Sequence, residues 1–278
     1  MKLAGLLLSL FLLAAPAVAL AQEDQQSPYE QKYFADPFYN EVVEAAKTKN
    51  ARDLIEFLDI KIQDKPERIH PASLWLRSNT VAQRDIKKAN ALYFLSYSDI
   101  MLQLALAHKK ANDSISYIAM TKTAVLLLYI FEMMASVDAM RCADPSVLPA
   151  VQSNMVAPRL AKISYAFEML PKSDFEFFAN EAITADKKFD LRKPNDYICG
   201  LGGAKLADML RQQGVVTLEA KNPATGRTSM RVIPPQGYEY EPVYISDTEW
   251  MKRRPIVQDR IRSMWQLRFD TLSANKKD

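Results

Sequence analysis

The chain has 278 residues, with 36 lysines and arginines against 33 aspartates and glutamates and a formal charge of +3. That near-balance gives no electrostatic footprint for nucleic acid or for a strongly acidic partner. Apolar residues make up 49% of the chain, enough to bury one large domain or one domain with an appendage, while two histidines and two cysteines leave little material for a metal centre.

The first segment, MKLAGLLLSLFLLAAPAVALA, has one positive charge at Lys2, an apolar run and an Ala19-Leu20-Ala21 end before Gln22. It reads as a secretory signal, cleaved after Ala21, and is left out of the fold. An uncleaved anchor is the other reading, since Leu3 to Leu20 is nearly long enough to cross a hydrocarbon core. The small residues before Gln22 favour cleavage. No cysteine follows the apolar run, so a lipid anchor is not expected. The destination is periplasmic or secreted, in a layout more bacterial than eukaryotic.

Beyond a polar start, Asp36-Pro37 offers an N-cap with proline at the first helical position, predicting a helix from Pro37 to about Lys49. In ARDLIEFLDIKI, Leu54, Ile55, Leu58 and Ile62 share one face and predict a second helix, ended near Pro66. Past Trp75 and the turn SNT, the sequence predicts a long helix over roughly 81–110. Its middle, ALYFLSYSDIMLQLALA, is apolar almost all round, which marks the centre of the core. Asn112-Asp113-Ser114 interrupts it and opens a partner helix from Ile115 to about Met140, making an antiparallel hairpin. The apolar run AVLLLYIF within that partner is short and closed by Glu132, so it reads as a buried helix and not as a second span; no transmembrane span is expected after signal removal.

Asp144-Pro145 repeats the cap-plus-proline pattern, but Pro149 and Pro158 follow too closely for one straight helix, predicting a short turn and then a helix from about Val156 or Pro158 to Leu170. Ser173-Asp-Phe-Glu176 reads as a capping box for a helix through about Lys187. After Gly214, VVTLEA and SMRVI flank NPATGR as a β-hairpin would. A proline-rich aromatic connector follows. Ser246-Asp-Thr-Glu249 is a second capping box, and Pro255 divides the final helical section, whose main helix runs from about Ile256 to Leu272. The fold class is therefore mainly α: a bundle-like helical domain over 22–213, with a hairpin, connector and basic terminal helix over 214–278.

Four groups of residues bear on chemistry. Cys142 and Cys199, an even count in an oxidising compartment, predict one disulfide closing a loop of about 58 residues, worth roughly 4 kcal/mol in the chain-entropy model. In DYICGLGGAKLADML, Gly202, Gly203 and Lys205 at a helix start offer an anion nest, although the upstream residues and spacing fit neither a P-loop nor a dinucleotide fingerprint. The plainer alternative is that these glycines adopt positive φ for a tight turn beside the disulfide. Asp99 and Glu132, on the two long helices, would make a carboxylate pair for acid/base work if both pointed inward, or would face solvent or nearby cations otherwise.

The last group is in the tail. Tyr238, Tyr240 and Tyr244 alternate with glutamates, and Trp250, Arg253, Arg254 and Trp265 belong to a basic helix that could dock on anionic lipid or an acidic protein face. Alternatively its apolar side closes the core and its arginines are hydrated. No metal spacing, nucleophile elbow or cofactor fingerprint is present. The function expected from these features is an exported, non-catalytic binding protein, an envelope assembly factor acting through its aromatic and basic C-terminal region on a protein partner or anionic surface. An envelope hydrolase using Asp99 and Glu132, and small-ligand binding in the helical core, are the alternatives.

Overall fold

The computed structural model of the chain describes residues 28–83, 85–218 and 230–274. The expected signal segment, the polar residues after it and the NPATGR loop lie outside the described residues. The chain is mainly α-helical, with one antiparallel hairpin and a terminal helix. It divides into two compact units, Met1–Leu127 and Leu128–Asp278. The boundary falls inside a long helix, and the hairpin and terminal helix share a unit with everything after residue 128; the composition change at Gly214 is not where the packing divides.

In the first unit, α1 (Pro28–Phe34) leads into α2 (Pro37–Thr48), α3 (Ala51–Asp64), α4 (Ile69–Asn79) and α5 (Ala91–Lys110), followed by the first half of α6 (Ser114–Arg141). Local chemistry sets these starts. The Asp36 carboxylate accepts from Phe38 N at 2.8 Å, and the Asn50 side chain accepts from Asp53 N at 3.0 Å. Both are N-cap bonds that satisfy donors left over at a helix start.

The expected helix over 81–110 is shorter than the sequence suggested. Asn90 caps it by accepting from Leu92 N at 3.0 Å, so α5 starts at Ala91. Residues 86–88 before it form only a short 3-10 helix, and a separate helix, α4, lies further upstream, with Pro71 in its first turn, where no backbone donor is needed. Leu54, Leu58, Ala72 and Leu76 are completely buried, each leucine contributing about 1.5–3 kcal/mol. The expected α5–α6 hairpin forms: Asn112 turns at φ 59°, and the Ser98 hydroxyl donates to the Ala124 carbonyl at 2.7 Å.

The second unit starts with the rest of α6. By length and composition α6 could cross a membrane, and 72% of its most apolar window is buried inside the protein. After Arg141 come α7 (Val147–Val151), a π-helical turn (Gln152–Val156), α8 (Ala157–Lys162) and α9 (Ala166–Met169). The helix expected from about Val156 or Pro158 to Leu170 forms as two pieces, α8 and α9, separated by a turn at 163–165, while Pro149 and Pro158 both lie inside helical segments. Next is α10 (Lys172–Lys188), capped by Pro171 with no side-chain bond, so the expected Ser173 capping box does not form and Ser173 lies inside the first turn.

Two short helices, α11 (Asp196–Cys199) and α12 (Gly203–Arg211), precede strands β1 (Val215–Leu218) and β2 (Met230–Ile233). The strands pair antiparallel with Val215 opposite Ile233 and Leu218 opposite Met230. A two-stranded ribbon is marginal alone, and α12 packs on β2.

The chain ends in α13 (Asp247–Ala274), which continues through Pro255. Sequence reading had divided it there. Pro255 and Met251 both lie on the exposed side, so the carbonyl that loses its donor faces water and the helix continues. Ser246 does serve as its cap, accepting from Glu249 N at 3.3 Å. The buried side of α13, with Trp250, Val257, Ile261, Trp265 and Phe269, closes the core of this unit. Trp265 packs on Tyr129 with ring centroids 4.4 Å apart, and Phe269 meets Phe175 at 4.9 Å.

Candidate functional site

Cys142 and Cys199 are joined in a disulfide across a sequence separation of 57. Residues 243–245 are held beside Cys142. Ala143 N donates to the Val243 carbonyl at 2.8 Å, Ile245 N donates to the Arg141 carbonyl at 2.9 Å, and Cys142 and Tyr244 form an antiparallel bridge. The aromatic connector is thereby fastened onto the end of α6.

At the start of α12, where an anion nest was expected, backbone donors are taken by side chains of the chain itself. Ala204 N donates to Asp144 Oδ2 at 2.8 Å, and Gly203 N donates to Ser146 Oγ at 2.7 Å. These are two of the donors left over at the start of α12. Burial would raise the Asp144 carboxyl, but the Ala204 N–H and the Ser146 bonds outweigh it and hold the group below its ordinary value.

Gly202 is required for space, because a Cβ there would come within 2.1 Å of Asp144 Oδ2 and 2.7 Å of Val147 Cγ2. The expected positive φ is absent: Gly202 has φ −78°, and Gly237 is the only glycine with positive φ among the described residues. Lys205 of the predicted nest turns instead to Tyr240, its Nζ 6.0 Å from the ring centroid.

The tail aromatics are largely absorbed into the structure. Trp250 and Trp265 are buried, and Arg141 lies over the Trp250 ring at 5.6 Å. Tyr238 donates to Asp208 at 3.0 Å; partial burial, then this carboxylate, push its hydroxyl up to about 12. The Tyr244 hydroxyl donates to Asp196, and burial and that partner raise it further.

The buried charges belong to one unit and neutralise one another. Glu132, completely buried, accepts from Trp265 Nε1 at 2.7 Å and from Arg268 Nη1 at 2.9 and 2.8 Å on its two oxygens. Its carboxylate is thus occupied by the core of the second unit. Asp99, its proposed catalytic partner, is half-buried on α5 in the first unit.

The second cluster centres on Arg192. It ion-pairs with Asp138 at 3.0 Å and Asp186 at 2.9 Å, and donates to the Phe189 and Met134 carbonyls at 2.9 and 3.1 Å. Arg254 adds bonds of 3.0 and 2.9 Å to Asp186, and Gln258 another of 2.7 Å. Burial pushes Asp138 up, opposed by Arg192. Two aspartates face two arginines, so this cluster is balanced.

The feature that sequence reasoning missed is a groove of about 570 Å³ in the second unit. One wall is the end of α6 and the turn beyond it, with Ala139, Ala143, Pro145, Leu148 and Pro149. The other is α13, with Arg253, Arg260, Ile261 and Met264. Cys142 lies in the floor, so the disulfide supports the groove. Arg253 bonds Glu249 at 2.9 Å; Arg260 has no hydrogen bond or ion pair among the described residues. Of the predicted binding residues, Arg253 alone lines this groove. Two signals pointed toward it, the arginine spacing on α13 and the small and proline residues after Cys142, but only folding brings them together.

No family model matches the chain, and neither a curated protein nor a solved structure matches it.

Proposed function

We propose that the chain is an exported binding protein of the bacterial envelope, working without catalysis through the basic terminal helix α13. The observation that carries this reading is the arginine-edged apolar groove. Its lining holds no carboxylate, and Arg260 is exposed at its lip with no partner among the described residues. Apolar pockets of about 300–1,000 Å³ with a few polar groups are the usual form of a ligand site. Within the same unit Glu132, Asp138 and Asp186 are matched by Arg268, Arg192 and Arg254, an arrangement suited to holding the fold. The disulfide beside the groove is compatible with export.

The aromatic part of the tail supports this surface from behind, and α13 provides the contact. A photo-crosslinking residue at Leu148, inside the groove, and another at Ile60, an exposed position of the first unit, test the reading in intact cells. The expected result is adducts at position 148 that disappear with Arg260→Glu. No adduct at 148, or equal labelling at both positions, contradicts it.

A further inference from the structure

We infer that the groove binds a single-chain anionic amphiphile, with a carboxylate or phosphate head on Arg260 and an apolar chain along the α6–α7 wall. The inference rests on the groove being the working surface. Apart from the two arginines, its walls offer a polar body only the Gln152 amide, which already accepts from Arg268 Nη2 at 3.2 Å and donates to Ser136 Oγ at 3.3 Å. Pro145 and Pro149 lack a backbone donor, Ala143 N is already given to Val243 O at 2.8 Å, and Leu148, Ile261 and Met264 are apolar. An apolar chain loses nothing by entering such a space and gains by leaving water.

The charged end is selected by the lip. Arg253 is already paired with Glu249, whereas Arg260 has no partner among the described residues, and the fork of a guanidinium matches carboxylate and phosphate oxygens. No acidic side chain lines the groove to receive a cationic head. The lining residues of α13 run from Arg253 to Met264, a stretch of about 16 Å.

Calorimetric titration of the full chain tests this with dodecanoate, dodecyl phosphate and dodecyltrimethylammonium, each below its aggregation concentration. The anions should bind one to one, at least tenfold more tightly than the cation, and the comparison of the two heads assigns carboxylate or phosphate. Arg260→Glu should weaken anion binding at least tenfold. Ala143→Phe, which fills the groove, should abolish binding with unchanged melting; where that variant melts early, Met264→Trp replaces it from the other wall. Equal binding of anion and cation, or binding unaffected by groove filling, overturns the inference. Crosslinking at Leu148 without amphiphile binding overturns it too, but leaves the groove as a binding surface.

Discussion

The two units bury different kinds of residue. The first is built from aliphatic and aromatic side chains such as Leu54, Leu58, Leu76 and Phe94, and its buried polar groups are hydroxyls such as Thr80 and Ser98, which bond backbone carbonyls at 2.7 Å. The second buries Glu132, Asp138, Asp186 and Arg192 as well as its aromatics. Hydrophobic burial tolerates changes that keep volume, while a buried charge is stable only with its partner in place. The first unit should therefore fail gradually, and the second should fail by losing single ionic contacts.

The largest expected effect comes from Arg192→Met, which leaves Asp138 and Asp186 facing each other without their shared cation. A loss of about 3–5 kcal/mol is expected by denaturant unfolding. Leu58→Ala in the first unit should cost about 2–5 kcal/mol through cavity formation. Acid separates the two. Without Arg192 the already raised Asp138 carboxyl has a folded value further above its unfolded one, so the Arg192→Met deficit should shrink as pH falls through that value. The Leu58→Ala deficit should not change with pH.

Breaking the disulfide comes next. Cys142→Ser with Cys199→Ser should cost roughly 2–4 kcal/mol and weaken any groove binding, since Cys142 lies in the groove floor. Unchanged melting together with unchanged binding would separate the groove from its staple. Gly202→Ala should cost about 1–3 kcal/mol through the clash with Asp144 and Val147.

Asp144→Ala should cost about 1 kcal/mol by removing the cap on α12. The native Asp144 value lies below its ordinary 3.8, so its contribution is present above that pH and is lost as pH falls through the depressed value. The wild-type advantage over Asp144→Ala should therefore vanish in acid, as read from melting curves at stepped pH.

How much was legible in the sequence follows the same division. Caps and apolar period act locally, so Asp36 and the face Leu54, Leu58, Ile62 placed α2 and α3 closely. Cysteine count and compartment placed the disulfide. α4 was missed: the segment through Trp75 read only as a passage to the turn SNT, although Pro71 is harmless in a first turn. Pro255 looked like a division, and an exposed position let α13 continue. The pairings of Glu132 with Arg268 and of Asp186 with Arg254 leave no linear trace, since each joins residues far apart in the chain. That is why Glu132 read as a partner for Asp99, for solvent or for a cation nearby in sequence, and the arginines of α13 as one basic face. Folding sorts them: Arg254 and Arg268 go to buried acids, and Arg260 is left at the groove.

That sorting is the central claim, and thermal melting with groove crosslinking on two variants tests it side by side. Arg268→Gln should lower the melting temperature by several degrees, because Glu132 is left buried without its cation. Arg260→Glu should melt like the wild type and lose the crosslink at position 148. If Arg260→Glu melts early, or if Arg268→Gln melts normally, the division of the arginines between structure and binding is contradicted.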